Sequence, residues 1–428
     1  MTFDQPPSWH KLLPSCALRE VAPKSPAPLG DPRDAIAKVL AQSGFVEFAS
    51  RAAAEGHPLT LVVNDNHRFT DTHTFVCAVM QLLERLSDAQ PRPRLRVLVA
   101  TGSHVATADE RAAHELSMFG VHRERIAELA WHDARSAAGL LAVGRATLHC
   151  WMAEGGFYLA CGSMEPHYFA GVTGAHKTLS VGVMSMESLT ANHEHALSMR
   201  ARPLTLDDNP VHLGIVDAVA DLEDSGARLL VVNEVLVDGK VVAVTAGHPL
   251  DALQRGLETV RACFSARVEE PVDLIVARMC APLDRDFYQA EKGIKNTEFA
   301  LREAGVMVLE AACRHGVGID HFVDLLRQAA THEEAVAVVE ARGYRLGDHK
   351  AVRLRALTDK RRVHVALVSE GVPASVGEVL GVRIFADRRG AAAWAQQILG
   401  AGPVRGLLVE DAGNVVVEIS QAAGVVVP

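Results

Sequence analysis

The sequence predicts an α/β fold in two domains, each a mostly parallel sheet covered by helices. Three observations carry this. Short apolar runs of buried-strand type are each followed by a polar loop and a helix-like stretch, and this unit occurs three times in the first half of the chain. The break Glu269-Glu270-Pro271 interrupts the pattern, and a fresh alternation starts after it. At 428 residues the chain also exceeds what a single core usually holds.

Residues 1–34 are Pro-rich and aperiodic and read as an extended arm, followed by a first α/β domain over 35–268 and a second over 269–428. Stretch 34–54 is Ala-rich and amphipathic, hence helical, and Pro58 restarts the chain. The run 59–63 is a strand, followed by the polar loop NDNHRFTD and a helix over 72–86. The pattern repeats with a strand over 95–100, a loop over 101–106 and a helix opened by a Thr107/Glu110 capping box. Its third instance begins at Gly156 and leads into the Gly/His-rich stretch 165–195, with a helix over 186–199 carrying His193. Asp238-Gly239 inside the apolar run 227–247 signals a hairpin, and 255–264 is helical. The second domain opens with a strand over 272–277 and a loop ending in Pro282. A helix over 286–304 carries Tyr288, Gln289 and Lys292, and strands follow over 306–312 and in VHVALV and VRIFA. From Gly390 there is one Ala-rich helix and two short apolar runs.

Composition narrows the function classes. With 49% hydrophobic and 22% charged residues the chain reads as an ordinary soluble protein. A net charge of -9 argues against nucleic acid or an anionic membrane as the main partner. No apolar run approaches the roughly 18 to 20 residues of a membrane span, and the N-terminus lacks the apolar core of a signal peptide, so the cytoplasm is expected. Seven scattered cysteines without a CxxC pair suggest neither a disulfide frame nor a thiolate zinc site.

In parallel sheets ligands sit at the carboxyl ends of strands, so the three polar loops converge and bring Asp65, His67, Arg68, His104, His167, Lys177 and His193 to one place. The Arg68 guanidinium suits a carboxylate or phosphate because its planar fork donates two parallel hydrogen bonds. An imidazole titrates near neutrality, so His104 and His167 suit proton transfer. His193 suits a metal such as nickel, copper or zinc. Gly171 and Gly174 allow close backbone approach, and free N–H groups there are expected to cradle an anion beside Lys177. A zinc hydrolase would need about three ligands, and no HExxH occurs. Neither GxGxxG after the first strand nor a P-loop is present, since GVTGAHKT has the wrong spacing.

Taken together these motifs resemble the lactate racemases that use a nickel-pincer nucleotide. Asp65-Asn66-His67-Arg68 is similar to that family's Asp-x-Thr-Arg, and Ala100-Thr101-Gly102-Ser103-His104 to its Ala-Thr-Gly-Thr-His. Pro166-His167 through Lys177 resembles its Pro-His followed by Ser-Gly-Gly-x-Lys, and Asn192-His193 its Asn-His. Pro282-Leu283-Asp284, Tyr288-Gln289 and Lys292-Gly293 match in order in the second domain.

The resemblance implies a racemase or epimerase that inverts a 2-hydroxy acid by reversible hydride transfer through a 2-oxo acid. The cofactor it implies is nickel in a pyridinium-3,5-bisthiocarboxylic acid type mononucleotide. It makes His193 the protein ligand of the metal, and Lys177 the cofactor-binding lysine, in some members through a covalent thioamide. Asp65, Thr101, Gly102, Thr173 and Gly174 become nucleotide contacts. His104 and His167 become the acid/base pair, and Arg68, Tyr288, Gln289 and Lys292 the substrate-binding groups, with the active site in the interdomain cleft between a cofactor-binding domain over 35–268 and a domain over 269–428 that closes over the substrate. Enzymes that make the cofactor are implied partners. The sequence departs from the pattern at His67, which replaces threonine, at Ala175-His176, and at Met279-Cys280-Ala281, expected to face the cleft. These departures bear on the substrate more than on the cofactor. A zinc-dependent hydrolase or lyase, or a non-catalytic relative that binds the nickel nucleotide, stays open at this level.

Overall fold

A computed structural model describes residues 7–86 and 92–420. The chain divides into two compact units. The first comprises Ser25–His195 and Thr205–Cys263; the second comprises the described residues within Met1–Lys24, Ala196–Leu204 and Phe264–Pro428. Each is α/β with a six-stranded sheet, and no helix among the described residues is long and apolar enough to cross a membrane.

In the first unit the strand order is Lys240–Gly247, Ala227–Val237, Gly156–Ser163, Leu59–Asn64, Leu95–Ala100, Ile126–Trp131. All neighbours are parallel except the edge hairpin Ala227–Val237/Lys240–Gly247, which turns at Asp238-Gly239. The strands Leu59–Asn64, Leu95–Ala100 and Gly156–Ser163 are almost wholly buried because helices cover the sheet, which explains their apolar runs. From Leu59–Asn64 the chain steps outward to Leu95–Ala100 and Ile126–Trp131, then crosses back to Gly156–Ser163 on the other side. Strand order therefore reverses between Leu59–Asn64 and Gly156–Ser163, and loops leaving these two strands diverge and open a crevice at their carboxyl ends.

Local signals govern the helix ends. Asp71 caps Thr72–Glu84 by accepting from the Thr74 N–H, and Thr107 with Glu110 forms the expected capping box of Ala108–Phe119. The stretch expected as one helix over 34–54 is two, Pro32–Gln42 and Phe45–Ala54, because Gly44 takes a left-handed conformation between them. The helix expected over 186–199 ends at Glu194, and a 3₁₀ turn takes over.

In the second unit the order is Cys16–Val21, Val404–Val409, Val272–Arg278, Leu301–Glu310, His364–Val368, Arg383–Phe385, parallel throughout. Residues expected to form an extended arm thus supply an edge strand, Cys16–Val21, paired with Val404–Val409. Ahead of it Trp9 is buried and donates its indole N–H to Glu310 at 2.8 Å; residues 1–6 lie outside the described part. The helix expected over 286–304 stops at Thr297, and the next strand begins at Leu301 rather than 306, because Leu301 pairs with Val272. Pairing overrides the helix-favouring composition there. Met279, expected to face a cleft, is buried against Gly293 and Gly413, where a Cβ would meet its side chain at 2.5 and 3.1 Å.

Candidate functional site

The crevice at the first unit's strand reversal holds a cavity of about 170 Å³. Three loops at strand carboxyl ends line it with Asp65 and Arg68, with Thr101, Gly102 and His104, and with Ser163 and His167. The segment after them adds Thr173, Gly174, Lys177 and Leu189, and His193 completes the wall. Of the residues expected to converge, Asp65, Arg68, His104, His167, Lys177 and His193 line this cavity, whereas His67 is not part of its lining.

The first loop is tied across the crevice rather than hanging from one strand. Thr70 donates its hydroxyl to Asn64 Oδ1 at 2.8 Å and accepts from the Ser163 N–H at 3.1 Å, bridging the two strands that flank the reversal. Asn64 in turn donates to the Thr178 hydroxyl at 3.1 Å. Buried Glu234 accepts from the Asp71 N–H at 2.9 Å. Burial lifts the Glu234 carboxyl to about 7.

Asp65 is 2% exposed, and its two carboxylate oxygens have separate duties. Oδ1 accepts from the His67 N–H at 3.1 Å and Oδ2 meets His104 Nδ1 at 2.9 Å. Because a carboxylate only accepts, His104 must place a proton on Nδ1, which leaves the lone pair on Nε2. Asp65 thus orients an imidazole, a role its reading as a nucleotide contact did not contain. The His67 ring lies beside that of His104, centroids 4.4 Å apart.

His167 is prepared in the opposite sense. Its Nδ1 accepts from the Ala170 N–H at 3.2 Å, so the neutral ring carries its proton on Nε2. Tyr168 stacks on the ring at 5.3 Å and Phe169 meets it edge-on at 4.5 Å. Phe169 also meets His193 edge-on at 4.9 Å, so one aromatic ring separates the two imidazoles. Burial, followed by the Lys177 charge, pushes His193 down to about 3 against the opposing Leu189 carbonyl one turn back. His193 is therefore a neutral imidazole with a donor pair at any ordinary pH.

The Gly/Lys segment differs from an open anion cradle. The Thr173 N–H donates to the Glu165 carbonyl, the Ala175 N–H to Asn233 Oδ1, and the Lys177 N–H to the Gly174 carbonyl, all at 2.8 to 2.9 Å. These groups are committed within the fold, and buried Lys177 is the charged group that the segment brings to the cavity wall. Thr173 and Thr101 line the cavity while donating their hydroxyls to the Ser163 and His132 carbonyls at 2.8 and 2.9 Å. Glycine is required at 162, where a Cβ would stand 2.6 Å from the Ala175 nitrogen, and at 174, where φ is +152° and a Cβ would meet Asn233 Oδ1 at 2.9 Å. His176 turns into the interior beside His212, and neither of its ring nitrogens has a hydrogen-bond partner. Burial keeps it far below the ordinary histidine range.

Tyr288, Gln289 and Lys292 belong to the second unit, on the helix Phe287–Thr297 capped by Asp286. The Tyr288 ring meets Phe322 edge-on at 5.4 Å and is covered by the Lys350 ammonium at 3.9 Å. Burial raises its phenol well above the usual range. This side chain, expected to bind substrate, is thus largely engaged within its own unit. Gln289 and Lys292 are three residues apart, on one face of the helix.

Comparison with known proteins fits this arrangement. Residues 9–203 match the lactate racemase N-terminal domain and residues 268–401 the lactate racemase C-terminal domain. The lactate racemase of Thermoanaerobacterium thermosaccharolyticum is 25% identical over 301 residues, 68% of each chain. That of Lactiplantibacillus plantarum is 27% identical over 275 residues, 62% of each. In fold, the chain is similar to the lactate racemase apoprotein from T. thermosaccharolyticum, with TM-score 0.79, 21% identity and coverage of 94% of this chain and 95% of that one. A Thermotoga maritima protein gives TM-score 0.64 at 15% identity, covering 91% and 99%. With both domains matched in order, the chain is an isomerase of the lactate racemase family.

Proposed function

We propose that this racemase inverts the α-carbon of a small 2-hydroxy acid by removing the α-hydrogen as hydride and returning it to the opposite face of a planar 2-oxo acid. The observation that carries the reading is the pair His104 and His167, which line one cavity in opposite tautomers. His104 offers a lone pair on Nε2, held in register by Asp65, and takes the hydroxyl proton. His167 presents an N–H from Nε2 and, once the ring is charged as the imidazolium, releases that proton to the oxygen on the other side and returns to a neutral imidazole. Inversion needs both, because the hydroxyl changes faces relative to the protein as the enantiomer changes.

Arg68 receives the substrate carboxylate through its two-pronged fork. The α-hydrogen is too weakly acidic for an imidazole to remove as a proton, so a hydride acceptor is required. A nickel-pincer nucleotide supplies that acceptor when bound. The residues fit such a group: His193 is a neutral imidazole on the cavity wall, and Lys177 is a buried ammonium beside it. His193 would hold the metal and Lys177 the organic part. The roles that the resemblance gives Gln289 and Lys292 toward the carboxylate belong to the same proposal. Lactate is one candidate substrate among small hydroxy acids.

The test combines metal content, intact mass and a substrate panel, using protein co-produced with the enzymes that make the cofactor. The expected result is about one nickel per chain, lost in His193→Ala, with an organic adduct lost in Lys177→Ala, and interconversion of at least one hydroxy acid by chiral chromatography. Nickel-loaded protein that interconverts none of the panel overturns the reading.

A further inference from the structure

His67, which stands where the family pattern has threonine and has no part in the racemase reading, completes a cluster with Asp65 and His104. Among the described residues, Asp65, His67 and His104 form a group whose potential ligand atoms all lie within 4.8 Å of one another. The carboxylate is buried, whereas both imidazoles are exposed. We propose that Asp65, His67 and His104 form a binding site for a divalent first-row transition ion such as zinc, distinct from the metal position at His193, and that its occupancy inhibits the enzyme reversibly.

Two imidazoles and one carboxylate are a donor set suited to such ions, with further positions left for water or substrate. Donors about 2.0 to 2.1 Å from a tetrahedral ion are about 3.4 Å apart. Both imidazoles are exposed, so their rings can turn toward the fixed carboxylate to close the set from 4.8 Å. The loop is already shaped for it, since Asp65 Oδ1 holds the His67 backbone at 3.1 Å and Oδ2 holds His104 at 2.9 Å. An ion there takes the place of the proton shared by Asp65 and His104. Arg68 and Lys177 line the same cavity, so the open positions of the ion would face cationic side chains and favour an anionic ligand. A threonine at 67 would supply only a weak neutral oxygen.

Ion binding rests on the geometry alone; the inhibition rests on the proposed role of His104. The two are measured separately. Cobalt(II) is titrated into the full-length protein, with and without its nickel cofactor, and visible ligand-field absorption and calorimetry are read. The expected result is one cobalt ion per chain, with affinity lowered at least about tenfold in both His67→Thr and His104→Gln and retained in His193→Ala. Circular dichroism establishes that the variants are folded. No stoichiometric uptake, or uptake unchanged in both loop variants, or uptake lost only in His193→Ala, overturns the site. For the inhibition, zinc is expected to slow turnover of the wild type and to slow His67→Thr at least about tenfold less effectively; equal inhibition of both overturns that link while leaving the racemase reading untouched.

Discussion

His104 Nδ1 lies 2.9 Å from the buried Asp65 carboxylate, and this contact decides which nitrogen of His104 keeps the lone pair that the proposed base requires. A carboxylate that orients a catalytic imidazole acts with it as one unit. Asp65→Asn keeps the shape of the side chain but offers an N–H where an acceptor is needed, so turnover should fall by about 10² to 10⁴. His104→Ala should cost a similar amount, and the double variant little more than either. Initial rates of hydroxy-acid interconversion check this; additive losses would mean that the two residues act independently.

Arg68 lines the cavity beside these residues, and its proposed task is two-pronged recognition of a carboxylate. Lysine keeps the charge and loses the fork. Arg68→Lys should raise KM about tenfold or more with a smaller change in kcat. Saturation curves for both enantiomers distinguish this from a fall in kcat alone, which would assign Arg68 to the chemical step.

Gly162 carries the Lys177 segment at backbone contact. Gly162→Ala would place a Cβ 2.6 Å from the Ala175 nitrogen and 2.7 Å from the Gly174 carbonyl carbon, neither the end of a flexible side chain. A stability loss of about 1 to 3 kcal/mol is expected, together with reduced nickel and cofactor retention. Gly139→Ala has nothing within 4 Å of its Cβ and serves as the control. Urea unfolding midpoints and metal analysis read the two effects.

Two buried groups should shape the stability–pH curve between about pH 4 and 7, in opposite directions. Burial, followed by the His132 and Arg96 charges, lowers His149 from 6.5 to about 4. The folded state then binds fewer protons than the unfolded chain between these values, so stability is lost as pH falls below about 6.5. Glu234 is the reverse: raised from 4.5 to about 7 by burial, it contributes stability below about 4.5 that is lost as pH rises through 7. Each of these changes is worth about 3 kcal/mol. Over this range His149→Gln should make stability fall more steeply as pH rises, and Glu234→Gln should make it rise more steeply; a curve unchanged in both variants would contradict the assignment.

The sequence alone determined the fold class and the gathering of the first unit's site. Unbroken apolar runs such as 59–63 and 95–100 form strands only in a sheet covered on both faces, and a parallel sheet sends its loops to one end. Arg68, His104, His167, Lys177 and His193 could therefore be brought together from alternation alone. The capping box at Thr107 and the hairpin at Asp238-Gly239 were legible for the same local reason: their chemistry lies within a few residues.

Tertiary structure decided what depends on partners distant in the chain. Cys16–Val21 has little strand character of its own and becomes an edge strand because Val404–Val409 offers unpaired backbone groups. The strand at Leu301 begins inside a helix-favouring stretch because Val272 pairs with it. Free N–H groups expected at 171–177 are taken up by Glu165 and Asn233. Tyr288 faces Phe322 and Lys350 of its own unit. Most consequential is Asp65, whose side chain meets His104 across 39 residues of sequence. Hydrogen bonds of this kind have no periodicity or local spacing to betray them. They exist only once the sheet has folded and its switch point has opened a crevice between two strands.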